Sequence, residues 1–295
     1  MSISQSELLQ WGTAHSTPGE ARPPLEPIDP KWLEVILGKE DSIRMKDCME
    51  IIQDAAKTLD EKESAFDELE MLVESLDNAN DLRPLKLWAP LIEIVSTNKE
   101  PVLRKYAAWV MGTAVQNNHR AQEDFLAAGG LDPVLKALAK DSDSDVRGKA
   151  LHCISGAIRQ NPTAIAAFME KNGVAVLASV ASDGDARLLK RAIFLIRSLI
   201  EEESPAVAAK AAEAACANSV PEMAADLMMS EKDDVDLVEK CLELLTVIAS
   251  KHSELLSAEF KARINEELVP SVNRGLPDGE HAISPEMLQR LLAAL

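Results

Sequence analysis

One segment recurs along this chain, and its recurrence limits the possible folds more than any other feature. Lys105-Tyr106-Ala107-Ala108-Trp109-Val110-Met111-Gly112-Thr113-Ala114-Val115-Gln116-Asn117 returns as Lys149-Ala150-Leu151-His152-Cys153-Ile154-Ser155-Gly156-Ala157-Ile158-Arg159-Gln160-Asn161, with Lys, Gly, Gln and Asn at the same four offsets. Further copies start at Arg191 and Lys240, so the four starts lie 44, 42 and 49 residues apart. A weaker copy begins at Ser64, 41 residues before Lys105. Periods of about 40–47 residues with two or three helices each mark armadillo and HEAT solenoids. Each unit carries an apolar stripe wider than it can cover alone, and stacking on its neighbours buries it. Small residues at recurring positions (Gly112, Ala150, Gly156, Ala192) predict close helix approach. The expected fold is all-α: an armadillo-like right-handed superhelix of four to five helical repeats.

Composition agrees with this. Hydrophobic residues make up 46% of the chain but aromatics only 3%, so the core must be built from Leu, Ala, Val and Ile, which suits stacked helices. The formal net charge of −18 argues against nucleic acid or anionic lipid as a ligand. The longest uncharged apolar run, residues 174–181, falls far short of a membrane span. No secretory signal is legible in the first residues, and Cys48, Cys153, Cys216 and Cys241 form no CxxC pair. The expectation is a cytoplasmic, monomeric protein with reduced core thiols.

The chain divides unevenly. Five of its 15 prolines fall at positions 18, 23, 24, 27 and 30, which forbids a continuous helix there. Residues 1–41 are therefore expected as a flexible N-terminal arm with a Pro-rich linker, tipped by the apolar cluster Leu8-Leu9-Gln10-Trp11. Residues 42–270 are expected as the solenoid, and 271–295 as a C-terminal tail and helix. Gly129-Gly130 and Gly173 are expected at tight turns between units.

Catalytic signatures are missing. Neither GxxxxGK[ST] nor GxGxxG occurs, no HExxH pair exists among the five histidines, and no GxSxG marks a nucleophile. The chain is accordingly expected to be no enzyme and to hold neither metal nor cofactor. Asp141-Ser142-Asp143-Ser144-Asp145 imitates the start of a calcium loop, but Val146 replaces the turn glycine and His152 the final glutamate. The run is expected to be an inter-repeat loop whose last Asp or Ser caps the next helix, as is Asp183-Gly184-Asp185.

Charge is distributed unequally. The net charge is −4 over residues 1–41, −7 over 42–100, +4 over 101–200 and −11 over 201–295. A basic middle in an acidic solenoid fits either an acidic partner surface on the central repeats or a solvated face. Lys105, Lys149 and Arg191 recur in register and are expected along one side.

Several stretches carry a resemblance. They are Leu8-Leu9-Gln10-Trp11 with Ala14-His15-Ser16, Met45-Lys46-Asp47-Cys48-Met49, Asp67 to Leu82 with its Asp77-Asn78-Ala79-Asn80-Asp81 core, Leu85-Lys86-Leu87-Trp88, and Gly112-Thr113-Ala114-Val115-Gln116-Asn117-Asn118. Over nearly its whole length the chain resembles the armadillo-type nucleotide exchange factors of 70-kDa heat-shock (DnaK-type) chaperones, in particular their fungal cytosolic branch. The resemblance implies a co-chaperone that clasps the chaperone's nucleotide-binding domain and favours a state that holds ADP poorly. The chaperone-binding surface is expected to include Asn78, Ala79, Asn80, Asn117, Lys149, Lys190 and Arg191, positions that match the resemblance or recur in register on or beside the concave face. The resemblance also implies that Leu8, Leu9 and Trp11 of the arm engage the chaperone's substrate-binding domain and assist client release. The alternative within the same fold is an armadillo peptide-binding adaptor or scaffold. Such grooves carry Trp-x-x-x-Asn ladders, whereas here Thr113 follows Trp109 and the equivalent positions are Cys153, Leu195 and Leu244.

Overall fold

The repeated segments form five helices that lie side by side, each closing one unit of a solenoid. The structure is a computed structural model that describes residues 39–182, 185–231, 233–268 and 285–295. The first unit pairs α1 (Asp41–Gln53) with α2 (Leu59–Val73). The second holds α3 (Leu76–Asp81), α4 (Trp88–Thr97) and α5 (Pro101–Ala114), and the third α6 (His119–Ala127), α7 (Leu131–Lys140) and α8 (Ser144–Ile158). The fourth holds α9 (Pro162–Glu170), α10 (Gly173–Ala181) and α11 (Ala186–Ile200), and the fifth α12 (Pro205–Ala217), α13 (Val220–Ser230) and α14 (Val235–His252). After α14 come a short 3₁₀ turn, α15 (Ala258–Arg263), a π-turn over Ile264–Leu268, and α16 (Pro285–Ala294), which packs on α14. There is no strand among the described residues, and no single helix there is long and apolar enough to cross a membrane.

The closing helices α2, α5, α8, α11 and α14 pack in succession, each on the next. Their sequences require it. In α11, Leu188, Leu189, Ala192, Ile193, Leu195, Ile196, Leu199 and Ile200 are buried, a stripe at helical spacing that one neighbour cannot cover. The result is one continuous core from Met45 to Leu291.

The turns are divided differently from the expectation. Gly129-Gly130 joins α6 to α7 and Gly173 opens α10, so both turns fall within units. Their cause is an aromatic ring beneath each. A methyl group at Gly130 would lie 2.2 Å from Phe125, and one at Gly173 would lie 2.3 Å from Phe168. The joints between units use Asn117 and Gln160 in the left-handed region, at φ 50° and 53°. Each is followed by an asparagine, Asn118 or Asn161, whose side chain accepts from the backbone of Ala121 or Ala164 and caps the next helix. Gln122 then donates to the Gly156 carbonyl at 2.8 Å and accepts from the fully buried Asn161 at 3.1 Å, stitching the third unit to the fourth.

The Asp141–Asp145 run joins α7 to α8 within the third unit rather than between repeats as expected, and the cap is the middle aspartate rather than the last Asp or Ser. Asp143 accepts from the backbone of Asp145 and Val146 and caps α8. Asp141 instead takes both arms of Arg104, at 2.7 and 2.8 Å, in a largely buried pair. Asp185 caps α11 by the same geometry. Cys48, Cys153 and Cys241 are buried and Cys216 half-buried, all four unpaired. Burial pushes the thiols of Cys48 and Cys216 up to about 11 and that of Cys241 to about 12, far from nucleophilic thiolates.

Candidate functional site

A cleft of about 360 Å³ opens across α5, α8 and α11, lined by Lys105, Trp109, Lys149, His152, Leu188 and Arg191 among others. It arises where the register of the repeat lines up cations on adjacent helices. Trp109 stacks against Tyr106 at 5.9 Å between ring centroids, and Lys149 Nζ stands 3.4 Å from the Trp109 ring centre. Lys105 Nζ lies 4.7 Å from the Tyr106 ring centre. The His152 ring occupies the space that Gly112 leaves, since a methyl group there would lie 2.5 Å from His152 Cδ2. The small residue of the repeat thus seats a ring as well as a helix.

What distinguishes this cleft is that cations without carboxylate partners converge on one aromatic wall. Several other cations of the central repeats are paired: Arg104 with Asp141, Arg187 with Asp145 and Asp185, Lys190 with Asp234 and Asp236, Arg197 with Glu201 and Glu243, Lys240 with Asp236. Lys105, Lys149 and Arg191 have no carboxylate at ion-pair distance among the described residues. Desolvation in the cleft lowers the Lys149 pKa; Glu70 opposes this, and the charges of Lys105 and Arg191 add to it. Arg191 lines the cleft while remaining exposed as a whole residue, and partial desolvation lowers its pKa as well. His152 is pushed down to about 4, first by desolvation and then by Arg191 and Lys149. Such a field attracts a carboxylate, which would relieve all three groups at once.

The structure separates the residues that the sequence had grouped. Lys149 and Arg191 meet in the cleft. Lys190, their neighbour in sequence, has its charge taken up by Asp234 at 2.6 Å and Asp236 at 3.1 Å. Asn78 donates to the Leu72 carbonyl at 2.9 Å and to Asp41 at 3.0 Å, tying α3 to α2 and α1. Ala79 is only 1% exposed and belongs to the core, so it presents no surface to a partner. Asn80 is half-buried and Arg83 holds Asp124 of α6 at 2.6 Å, so this stretch is a joint between units. Asn117 is exposed, but its distinctive feature is its left-handed backbone. Thr113 of the same motif donates to the buried Glu70 at 2.6 Å, joining α5 to α2. Leu8, Leu9 and Trp11 lie outside the described residues. Trp109 and His152 were not grouped with the site in the sequence, although they lie four residues after Lys105 and three after Lys149, the spacings that share one helix face.

Comparison with known proteins decides the family. Residues 6–82 match the family described as nucleotide exchange factor Fes1, and residues 78–245 match the SIL1/FES1/HPBP1 C-terminal domain. The chain belongs to the Fes1 family. The Hsp70 nucleotide exchange factor FES1 of Saccharomyces cerevisiae is 33% identical to it over 282 residues, 91% of each chain. The fes1 protein of Schizosaccharomyces pombe is 32% identical over 274 residues, covering 88% of this chain and 92% of that one. The FES1 protein of Scheffersomyces stipitis is 38% identical over 197 residues, 66% of this chain and 69% of its own length. Among solved structures, a designed armadillo repeat protein in complex with peptide (KR)4 superposes with a TM-score of 0.62 at 19% identity, over 85% of this chain and 97% of that one. That likeness establishes the armadillo fold of this Fes1-family chain.

Proposed function

We propose that this Fes1-family chain is a co-chaperone that docks the cleft of α5, α8 and α11 on the nucleotide-binding domain of a 70-kDa heat-shock chaperone and promotes release of ADP. Family membership and the relatives' designation as Hsp70 nucleotide exchange factors support the partner. The observation that carries the docking surface is the set of cations, Lys105, Lys149 and Arg191, left without carboxylates around Trp109. An acidic patch on the chaperone supplies what they lack. The factor binds more tightly to the chaperone conformation with low nucleotide affinity, so nucleotide must weaken its binding by the same factor. Such work needs no covalent chemistry, and likeness to the fungal FES1 proteins supports the cytoplasm as its compartment. Substoichiometric amounts are expected to accelerate loss of a labelled ADP from the chaperone in stopped flow; an unchanged rate rejects the reading.

The arm of residues 1–41, with Leu8, Leu9 and Trp11, acts as a tethered client mimic. Short Leu-rich segments suit a chaperone's substrate site, and tethering supplies an effective concentration of about millimolar order. Deleting residues 1–30 is expected to leave ADP release intact and to slow dissociation of a fluorescent client peptide. Equal client release at matched exchange rates would reduce the arm to a linker.

A further inference from the structure

We infer that His152 is a conditional cation of the docking cleft: it contacts a carboxylate of the partner and takes a proton from solvent when that carboxylate enters. The inference rests on the docking proposed above and extends it to the chemistry of the partner's anchor.

Geometry places the ring for this. His152 projects from the middle of α8 into the cleft wall, seated against Gly112 of α5, and neither ring nitrogen has a hydrogen-bond partner among the described residues. The charged groups around it are mostly positive. Lys105 faces the cleft from α5, Lys149 from the preceding turn of α8, and Arg187 and Arg191 from α11. The acids are Asp145 and Asp185 at the rim, both engaged by Arg187, and Glu70 of α2, which acts on Lys149 and is held by Thr113. In the free protein desolvation, helped by Arg191 and Lys149, pushes the imidazole down to about 4, so it is predominantly neutral near neutral pH. A carboxylate inserted beside Lys149 and Arg191 reverses the sign of the local field. Protonated His152 then donates to it, and the proton bound on association comes from solvent.

The sign follows from linkage. A group whose pKa rises on binding makes the complex stronger as pH falls through the interval between the two values. If docking restores His152 from about 4 to the ordinary histidine range, affinity should rise about twentyfold between pH 7 and pH 5. At pH 6 about three-quarters of a proton should be taken up per complex formed.

The test is isothermal titration calorimetry of the full chain into the chaperone's nucleotide-binding domain at pH 6, in buffers of different ionisation enthalpy, with His152→Gln alongside. The expected result is proton uptake by the wild type that His152→Gln abolishes, together with a flattened rise in affinity on acidification. A complex that forms without proton uptake, or with uptake equal in wild type and His152→Gln, overturns the inference and leaves the docking proposal standing. If no complex forms at any pH, the docking proposal itself fails. Because His152 packs on Gly112, the variant's melt is compared first. Should His152→Gln melt below assay temperature, His152→Asn serves in its place under the same criterion.

Discussion

Lys149→Glu is expected to weaken the complex with the chaperone's nucleotide-binding domain about 100-fold or more, and to lower the rate of ADP release in proportion. Truncating one member of a desolvated interfacial charge pair costs about 2–5 kcal/mol, and reversal adds repulsion of the partner's carboxylates. The fold should tolerate it. A glutamate at position 149 replaces a half-buried ammonium with a group that Lys105 and Arg191 can pair, while the lost contact with Trp109 is worth about 0.5–1 kcal/mol. A melt close to that of the wild type with binding lost is the expected pair of results. Lys190→Ala should disturb binding far less, since Asp234 and Asp236 already hold that charge. Wild-type binding by Lys149→Glu, measured at low and physiological salt, would move the contact surface away from this cleft.

Ala79→Arg should act through a different route. The side chain sits on a six-residue helix, at 1% exposure, in the joint between the first two units. A guanidinium there must either be buried without a partner or push α3 off the core. Overpacking alone costs about 1–3 kcal/mol, and burying an unpaired charge costs more. The total is a large share of the roughly 5–15 kcal/mol that holds a domain folded. The expected outcome is a lower and broader thermal transition by circular dichroism, with any loss of chaperone binding following from it. A wild-type melt together with lost binding would return Ala79 to the contact surface. The contrast with Lys149→Glu is useful, because one variant removes binding with the fold intact and the other removes the fold.

The repeat was legible because burial writes a period into the sequence. The apolar residues that follow Lys105, Lys149, Arg191 and Lys240 recur because each unit needs the same helix face covered by the next, so the fold class and the five closing helices could be read directly. Side-chain assignments fared less well where one residue type serves two purposes. The Asn78–Asp81 and Gly112–Asn118 stretches are distinctive, and distinctive runs invite functional assignment. In the structure they meet demands of backbone and joint: a left-handed Asn117, a capping Asn118, Thr113 on Glu70 and Asn78 on the end of α2.

By itself the sequence determined that the chain is an all-helical solenoid, where its units repeat, and that its basic charge is concentrated in the middle. Those properties depend on local pattern and composition, which the chain carries without reference to contacts. Only the tertiary structure decided which cations are free to act. Lys190 and Arg191 are adjacent and alike in sequence, yet one is neutralised by Asp234, 44 residues further along the chain, and the other turns into a cleft with Lys149. The free energy of a charge depends on how many carboxylates stand within a few ångströms and how much water remains around it, and for Lys190 and Arg191 the stacking of one repeat on the next sets both.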